Sequence, residues 1–284
     1  MSSPLSWQAP AAVSKVALQE ARHQSHQAIQ LVAASARSYS APDPEDCHAS
    51  LLFRAEINGL LSQPFHAGAH EIQVGLNFQS FALVILGPAG QEEILLDGLS
   101  YEEASARLKS CLQKRGASED AWSDSLPYEI PVYPQATGTA FGGFDTTAMK
   151  ALGEFFSNAA LLLQPIAQQE AGASPVMCWP HHFDIATLIT LPGAGEEKKY
   201  LGIGLSPGDE SYDQPYFYAN PYPVPEATAT LPQPSHGHWH RENWTGLVMT
   251  ATDVAAAGDA AGQQALMERY VKEALAFNYQ LLGV

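Results

Sequence analysis

Between about Ala11 and Ala36 the positions Leu18, Ala21, Ser25, Ala28 and Val32 recur at steps of three and four, with no Gly or Pro, and this predicts a helix. Pro42, Asp43, Pro44 and Asp46 end the pattern, and Leu51 to Ile57 reads as a strand. The period then changes to two. Ile72, Val74, Leu76 and Phe78 alternate with Glu71, Gln73, Gly75 and Asn77, as in a strand with one face on a core and one toward water. Phe81 to Leu86 reads as its hairpin partner, Gly87-Pro88-Ala89-Gly90 as a turn, and Glu93 to Asp97 as the returning strand. Ser100 and Glu103 form a capping box ahead of Ala104, Leu108, Cys111 and Leu112, with Gly116 as the stop.

Pro127, Pro131, Pro134 and Gly142-Gly143 mark residues 121–145 as an irregular surface connector. Asp145 then caps a helix whose stripe Met149, Leu152, Phe156, Ala159, Leu163 and Ile166 belongs in a core. Pro175 to Thr190, Tyr200 to Leu205, Pro215 to Tyr218 and Thr245 to Ala251 read as strands. Leu266, Tyr270, Ala274, Phe277 and Leu281 form a closing helix. The expected fold is α+β, one compact unit of two similar halves, 1–120 and 146–284. Each half runs helix, antiparallel strands, helix, an order that suggests an old duplication.

Composition narrows the function classes. The 284 residues are 46% hydrophobic, enough for a core and too apolar for a disordered chain. Fourteen Lys and Arg against 30 Asp and Glu give a net charge of -16, which disfavours nucleic acid and anionic membrane as partners and a strongly anionic ligand. Met1 to Val13 lacks a basic residue and an apolar run, and the longest apolar run, Phe81 to Leu86, has strand length, so a cytoplasmic protein without a membrane span is expected. Cys47, Cys111 and Cys178 are odd in number and widely spaced, as buried thiols rather than disulfides or a zinc site. Asn243-Trp244-Thr245 matches a glycosylation sequon that a cytoplasmic chain would not use.

Candidate chemistry gathers between Cys178 and Trp244. On one continuous strand, His182 and Asp184 would share a face about 7 Å apart, able to ligate a metal or to pair as base and orienting carboxylate. His236, His238 and His240 alternate, so in extended chain their imidazoles could cup one zinc or nickel ion, although Pro232, Pro234 and Gly237 favour a loop and adventitious chelation. A metal-assisted hydrolase would use His182, Asp184 and these histidines, with Glu210 or Asp213 as base. Gly202 to Gly208 reads as a turn between strands, since the acids after it would repel phosphate. Tyr216, Tyr218 and Tyr222, interleaved with prolines, could line a ligand cleft together with Trp179 and Asp184, or simply pack a proline-rich edge. His23 and His26, flanked by Gln24 and Gln27, read as part of a solvated helix face.

Several short segments in fixed order resemble a bacterial family catalogued as domain of unknown function 5996. They are Ser174-Pro175-Val176, Trp179, Phe183-Asp184-Ile185-Ala186, Gly204-Leu205-Ser206-Pro207-Gly208, Pro215, Phe217-Tyr218 and Tyr222-Pro223-Val224-Pro225. Earlier in the chain Cys47-His48, Asn58-Gly59-Leu60, Pro127 and Glu129-Ile130-Pro131 extend the likeness. The resemblance implies that Asp184 and the tyrosine- and proline-rich segment belong to the family pattern. His181, His182, the three-histidine segment and the strand Leu247 to Ala251 depart from it, and the family supplies no activity. The expectation is therefore a protein binding a small, non-anionic polar ligand in an acidic aromatic cleft of the C-terminal half, with the hydrolase or a structural, partner-binding module as alternatives.

Overall fold

The computed structural model describes residues 5–192, 198–226 and 230–284, so residues 1–4 of the N-terminal stretch lie outside it. It is a mixed α and β chain, and the strand pairs registered among the described residues are antiparallel. The chain divides into two compact units. Unit 1 comprises Ala11–Gly153 and Cys178–Phe183; unit 2 comprises residues 5–10 with Glu154–Met177 and Asp184–Val284. The division falls inside a continuous helix, and not in the 121–145 connector.

In unit 1 helix α1 (Lys15–Tyr39) starts where Ser14 accepts the Ala17 N–H at 3.1 Å. Strands β1 (Leu51–Arg54), β2 (Gly59–Ser62), β4 (His70–Asn77), β5 (Ala82–Gly87) and β6 (Gly90–Leu95) follow in spatial order, with β3 (Phe65–Ala67) on β4 and Cys178 of β7 (Met177–Trp179) against Leu51. The strand expected over Leu51 to Ile57 ends early. Asn58 adopts φ 42° and Gly59 lies so close to β4 that a Cβ there would meet the Leu76 carbonyl oxygen, so Asn58-Gly59 reverses the chain into β2. Ile72, Val74, Leu76 and Phe78 are all buried, as their alternation predicts. Helix α2 (Tyr101–Gln113) carries both capping-box bonds, Glu103 N–H to Ser100 Oγ at 3.1 Å and Ser100 N–H to Glu103 at 2.8 Å. Ser100→Ala is expected to lower stability by about 1 kcal/mol, measured by urea denaturation, and an unchanged midpoint would contradict the bond's role.

Helix α3 (Thr146–Gln169) begins where Asp145 accepts the Thr147 N–H at 2.7 Å, and its predicted stripe is buried throughout. Unit 2 orders its strands β11 (His238–His240), β12 (Gly246–Thr250), β10 (Tyr216–Tyr222), β9 (Lys199–Ser206) and β8 (Asp184–Leu191). A short helix α4 (Ala251–Ala255), capped by Thr250 and Asp253, precedes α5 (Ala260–Leu282). Helix α5 packs on β9 and β10, where the buried Tyr270 hydroxyl donates to the Leu247 carbonyl at 2.7 Å.

Four further expectations change. The strand over Pro175 to Thr190 is two strands separated by a turn, because Phe183 takes φ 57° and its N–H bonds the Trp179 carbonyl at 2.7 Å. The connector is not wholly superficial, since Tyr133, Gln135 and Phe141 are buried. His238 to His240 is a strand rather than loop, held by pairing with β12. Gly202 to Ser206 lies within β9, so the glycine-rich run is mostly strand and only its end turns. No helix among the described residues is long and apolar enough to cross a membrane.

Candidate functional site

The ladder register of unit 2 sorts the candidate residues. Residues directly opposite one another in an antiparallel pair project to the same face, and alternate residues do so along a strand. Ala186 faces Gly204, Gly204 faces Tyr218, Tyr218 faces Val248, and Val248 faces His238. Asp184, Tyr216, Tyr218, Asn220, Tyr222, His238 and His240 therefore share one face. Ile203, Leu205, Phe217, Ala219 and Leu247 occupy the other, toward α5, and all are buried.

Two glycines shape this face. A Cβ on Gly204 would lie 2.7 Å from the Tyr218 hydroxyl, from the Ile185 carbonyl oxygen and from the Ala186 Cβ, and a Cβ on Gly202 would lie 2.6 Å from Asn220 Oδ1. Tyr218 and Asn220 thus lie down across β9 instead of standing off the sheet. Tyr218 reaches over the gap to donate to Asp184 Oδ2 on β8 at 2.5 Å. A parallel bond joins the Tyr216 hydroxyl to Asp209 Oδ2 at 2.5 Å, and the other Asp209 oxygen accepts the Ser211 and Tyr212 N–H groups of its own turn. Burial, then the bond to Asp209 and its charge, push the Tyr216 phenol well above its usual range, so it stays a donor.

Tyr212 closes one end. Its hydroxyl sits 2.8 Å from His238 Nε2 and 3.0 Å from His240 Nδ1, while His240 Nε2 is 2.6 Å from the Glu242 carbonyl. That carbonyl only accepts, which assigns the His240 proton to Nε2 and leaves Nδ1 to accept from Tyr212, so His238 donates to the phenol oxygen. Trp244 stacks on His240 at 4.2 Å and on Tyr216 at 6.2 Å between centroids, and meets Tyr218 edge-on. At the other end Tyr200 and Tyr222 face each other across β9 and β10, 6.0 Å apart, with Tyr222 exposed.

Of the residues singled out from sequence, Asp184, Tyr216, Tyr218, Tyr222, His238 and His240 come to this face. His236 is exposed and lies before β11, where Gly237 at φ 75° separates it from the strand. Glu210 and Asp213 are exposed on the loop between β9 and β10. His182 does not share a strand with Asp184: it sits in the turn of unit 1, its ring 4.2 Å from that of His181. Trp179 also belongs to unit 1, 6.1 Å from the His181 ring. Among the described residues no group of three or more His, Cys, Asp or Glu could hold a metal ion. Sequence reasoning missed Trp244, Tyr200 and Asn220 as members of the site. The signal was Gly-x-Gly at strand period, which marks a face where neighbours lie flat.

Unit 1 holds a polar cluster around His26, which the sequence reading put on a solvated face with Gln24 and Gln27. Arg22, Gln24, Ser25, His26, Gln27 and Gln30 are buried along α1. His26 Nδ1 is 2.8 Å from the Tyr133 hydroxyl and Nε2 is 2.9 Å from the Pro180 carbonyl, which also accepts from Gln30 at 2.8 Å. The ring of Phe183 stacks on His26 at 5.2 Å. Tyr128 donates to Gln30 and takes a bond from Arg37, which pairs with Asp46. Burial lowers the His26 pKa to about 4, with the Arg22 charge acting in the same direction against the Pro180 bond. The solvated reading of His26 and Gln24 fails because His26 bonds Tyr133 of the connector and the Pro180 carbonyl of the turn, and Gln24 bonds the Gly142 carbonyl of the connector. This cluster anchors that turn and explains why Phe183 tolerates a left-handed backbone.

Comparison of the chain with protein-family models, with curated proteins and with solved structures finds no match in any of the three.

Proposed function

We propose that the protein binds a small, polar, non-anionic ligand on the sheet face of unit 2 formed by Asp184, Tyr216, Tyr218 and Tyr222, with Trp244 and Asp209 at one end. The observation that carries this reading is the pair of tyrosine–carboxylate bonds on one face, Tyr218 to Asp184 and Tyr216 to Asp209. Tyrosine rings offer stacking surface, and carboxylates offer acceptors for hydroxyl or ammonium donors. The net charge of -16 and the two carboxylates disfavour phosphorylated or strongly anionic ligands. Trp179 and His182, which lie in unit 1, are not part of the proposed site.

A thermal-shift panel of neutral and cationic metabolites tests the reading. A ligand present at 100 times its Kd is expected to stabilise the protein by about 2.7 kcal/mol. The shift should disappear in Asp184→Asn, which removes the carboxylate charge, and in Tyr218→Phe, which removes the hydroxyl donor. A panel that leaves the wild type unmoved, or a ligand that shifts both variants as much as the wild type, would refute the site.

A further inference from the structure

The unit 2 face is built as a strip rather than as a cup. Tyr218 and Asn220 lie flat because Gly202 and Gly204 leave the floor of β9 bare. A tyrosine ring laid over a glycine has one side on the backbone and the other turned away from the sheet. Its partly exposed state agrees with this. The strip runs along β10 from Trp244 and Tyr218, with Tyr216 buried beside them, to the facing pair Tyr200 and Tyr222, a step from residue 218 to residue 222 of about 13 Å at strand rise. Tyr222 is 58% exposed and Leu188, beside Gly202 on β8, is 44% exposed, so the far end of the strip is open. Asn220 lies between the two aromatic ends.

Resting on the proposed binding function, we infer that the ligand is a neutral glycan chain of more than one sugar unit, laid along β10. Aromatic rings spaced along a flat strip match the apolar C–H faces of successive pyranose rings, and the polar groups between and beside them match sugar hydroxyls. Asp184 and Asp209 accept from hydroxyl donors, and Asn220 can donate or accept. A single-stranded nucleic acid would find stacking surface here too, but its phosphates would meet these carboxylates. A compact metabolite would engage one end of the strip and leave the other unused.

Isothermal titration of the full chain with glucose, xylose and N-acetylglucosamine, and with their β-linked and α-linked oligomers of two to six units, decides the matter. In one series affinity is expected to rise with chain length, by roughly tenfold from monomer to the length that reaches Tyr222, then to level off. Tyr222→Ala, at an exposed position, and Tyr200→Ala, at a partly exposed one, should each remove that rise, so that in either variant the hexamer binds no more tightly than the monosaccharide. A monosaccharide that binds as tightly as its hexamer would overturn the chain inference and leave the site standing. So would silence from every sugar while another neutral metabolite binds with sensitivity to Asp184→Asn. If no compound of either panel binds, both the inference and the site fall.

Discussion

Lowering the pH from 7 to 4 is expected to cost the protein about 3 kcal/mol through His26 alone. The folded protein holds this imidazole neutral, with a pKa of about 4 against an ordinary 6.5, because burial and the Arg22 charge oppose its protonation. The unfolded chain takes up the proton as the pH falls through 6.5, whereas the folded chain does so only near 4. The contribution is complete above 6.5, is lost between 6.5 and 4, and does not change further below 4. His181, lowered to about 4 by burial and by its neighbour His182, adds in the same direction, less strongly because it is partly exposed. Glu92, held down by its bond to Arg115, loses its contribution as the pH falls through the ordinary carboxylate range and below, so its window begins where the histidine window ends. Urea midpoints taken at half-unit steps should fall through the histidine window. His26→Gln should be less stable at pH 7, having lost a bond to Tyr133 or Pro180, and its profile should be flatter. A wild-type profile level between 6.5 and 4 would refute the assignment.

Gly204→Ala is expected to destabilise by about 2 to 3 kcal/mol and to abolish the proposed ligand binding, whereas Gly202→Ala, two residues away on the same face, should cost well under about 1 kcal/mol. The difference lies in what each Cβ would meet. At Gly202 the nearest atoms all belong to the Asn220 side chain, which can swing aside. At Gly204 they include the Ile185 carbonyl, part of the β8 backbone, so relief requires moving a strand or lifting Tyr218 off its bond to Asp184. Denaturation of the two variants side by side measures the contrast. Equal costs would show that Tyr218 is not held against the backbone of β9.

Much of the architecture was legible because it depends on local period. The alternation from Ile72 to Phe78, the capping box at Ser100 and the stripe of α3 each report contacts within a few residues, and each element lies where its pattern placed it. The breaks were not legible. The reversal at Asn58 and the turn at 180–183 require left-handed residues whose cost is offset by distant partners, Phe78, whose N–H bonds the Asn58 carbonyl at 3.2 Å, for the first and His26 and Gln30 on α1 for the second. Reading Pro175 to Thr190 as one strand therefore joined His182 to a face it does not share.

The same distinction applies to the site. The sequence by itself determined which chemistry was available: one strand rich in tyrosine, an excess of acids, alternating histidines at 236, 238 and 240, and a helix carrying His26 among glutamines. Tertiary structure decided which of these meet. Register across β8, β9, β10, β12 and β11 brings Asp184, Tyr218 and His238 to one face although they lie up to 54 residues apart in number. It also turns His238 and His240 onto Tyr212, and it buries His26 where a helical wheel drawn from its polar neighbours puts water. Pairing between strands and the partners of buried polar groups are set by contacts distant in sequence, and a local period carries no record of them.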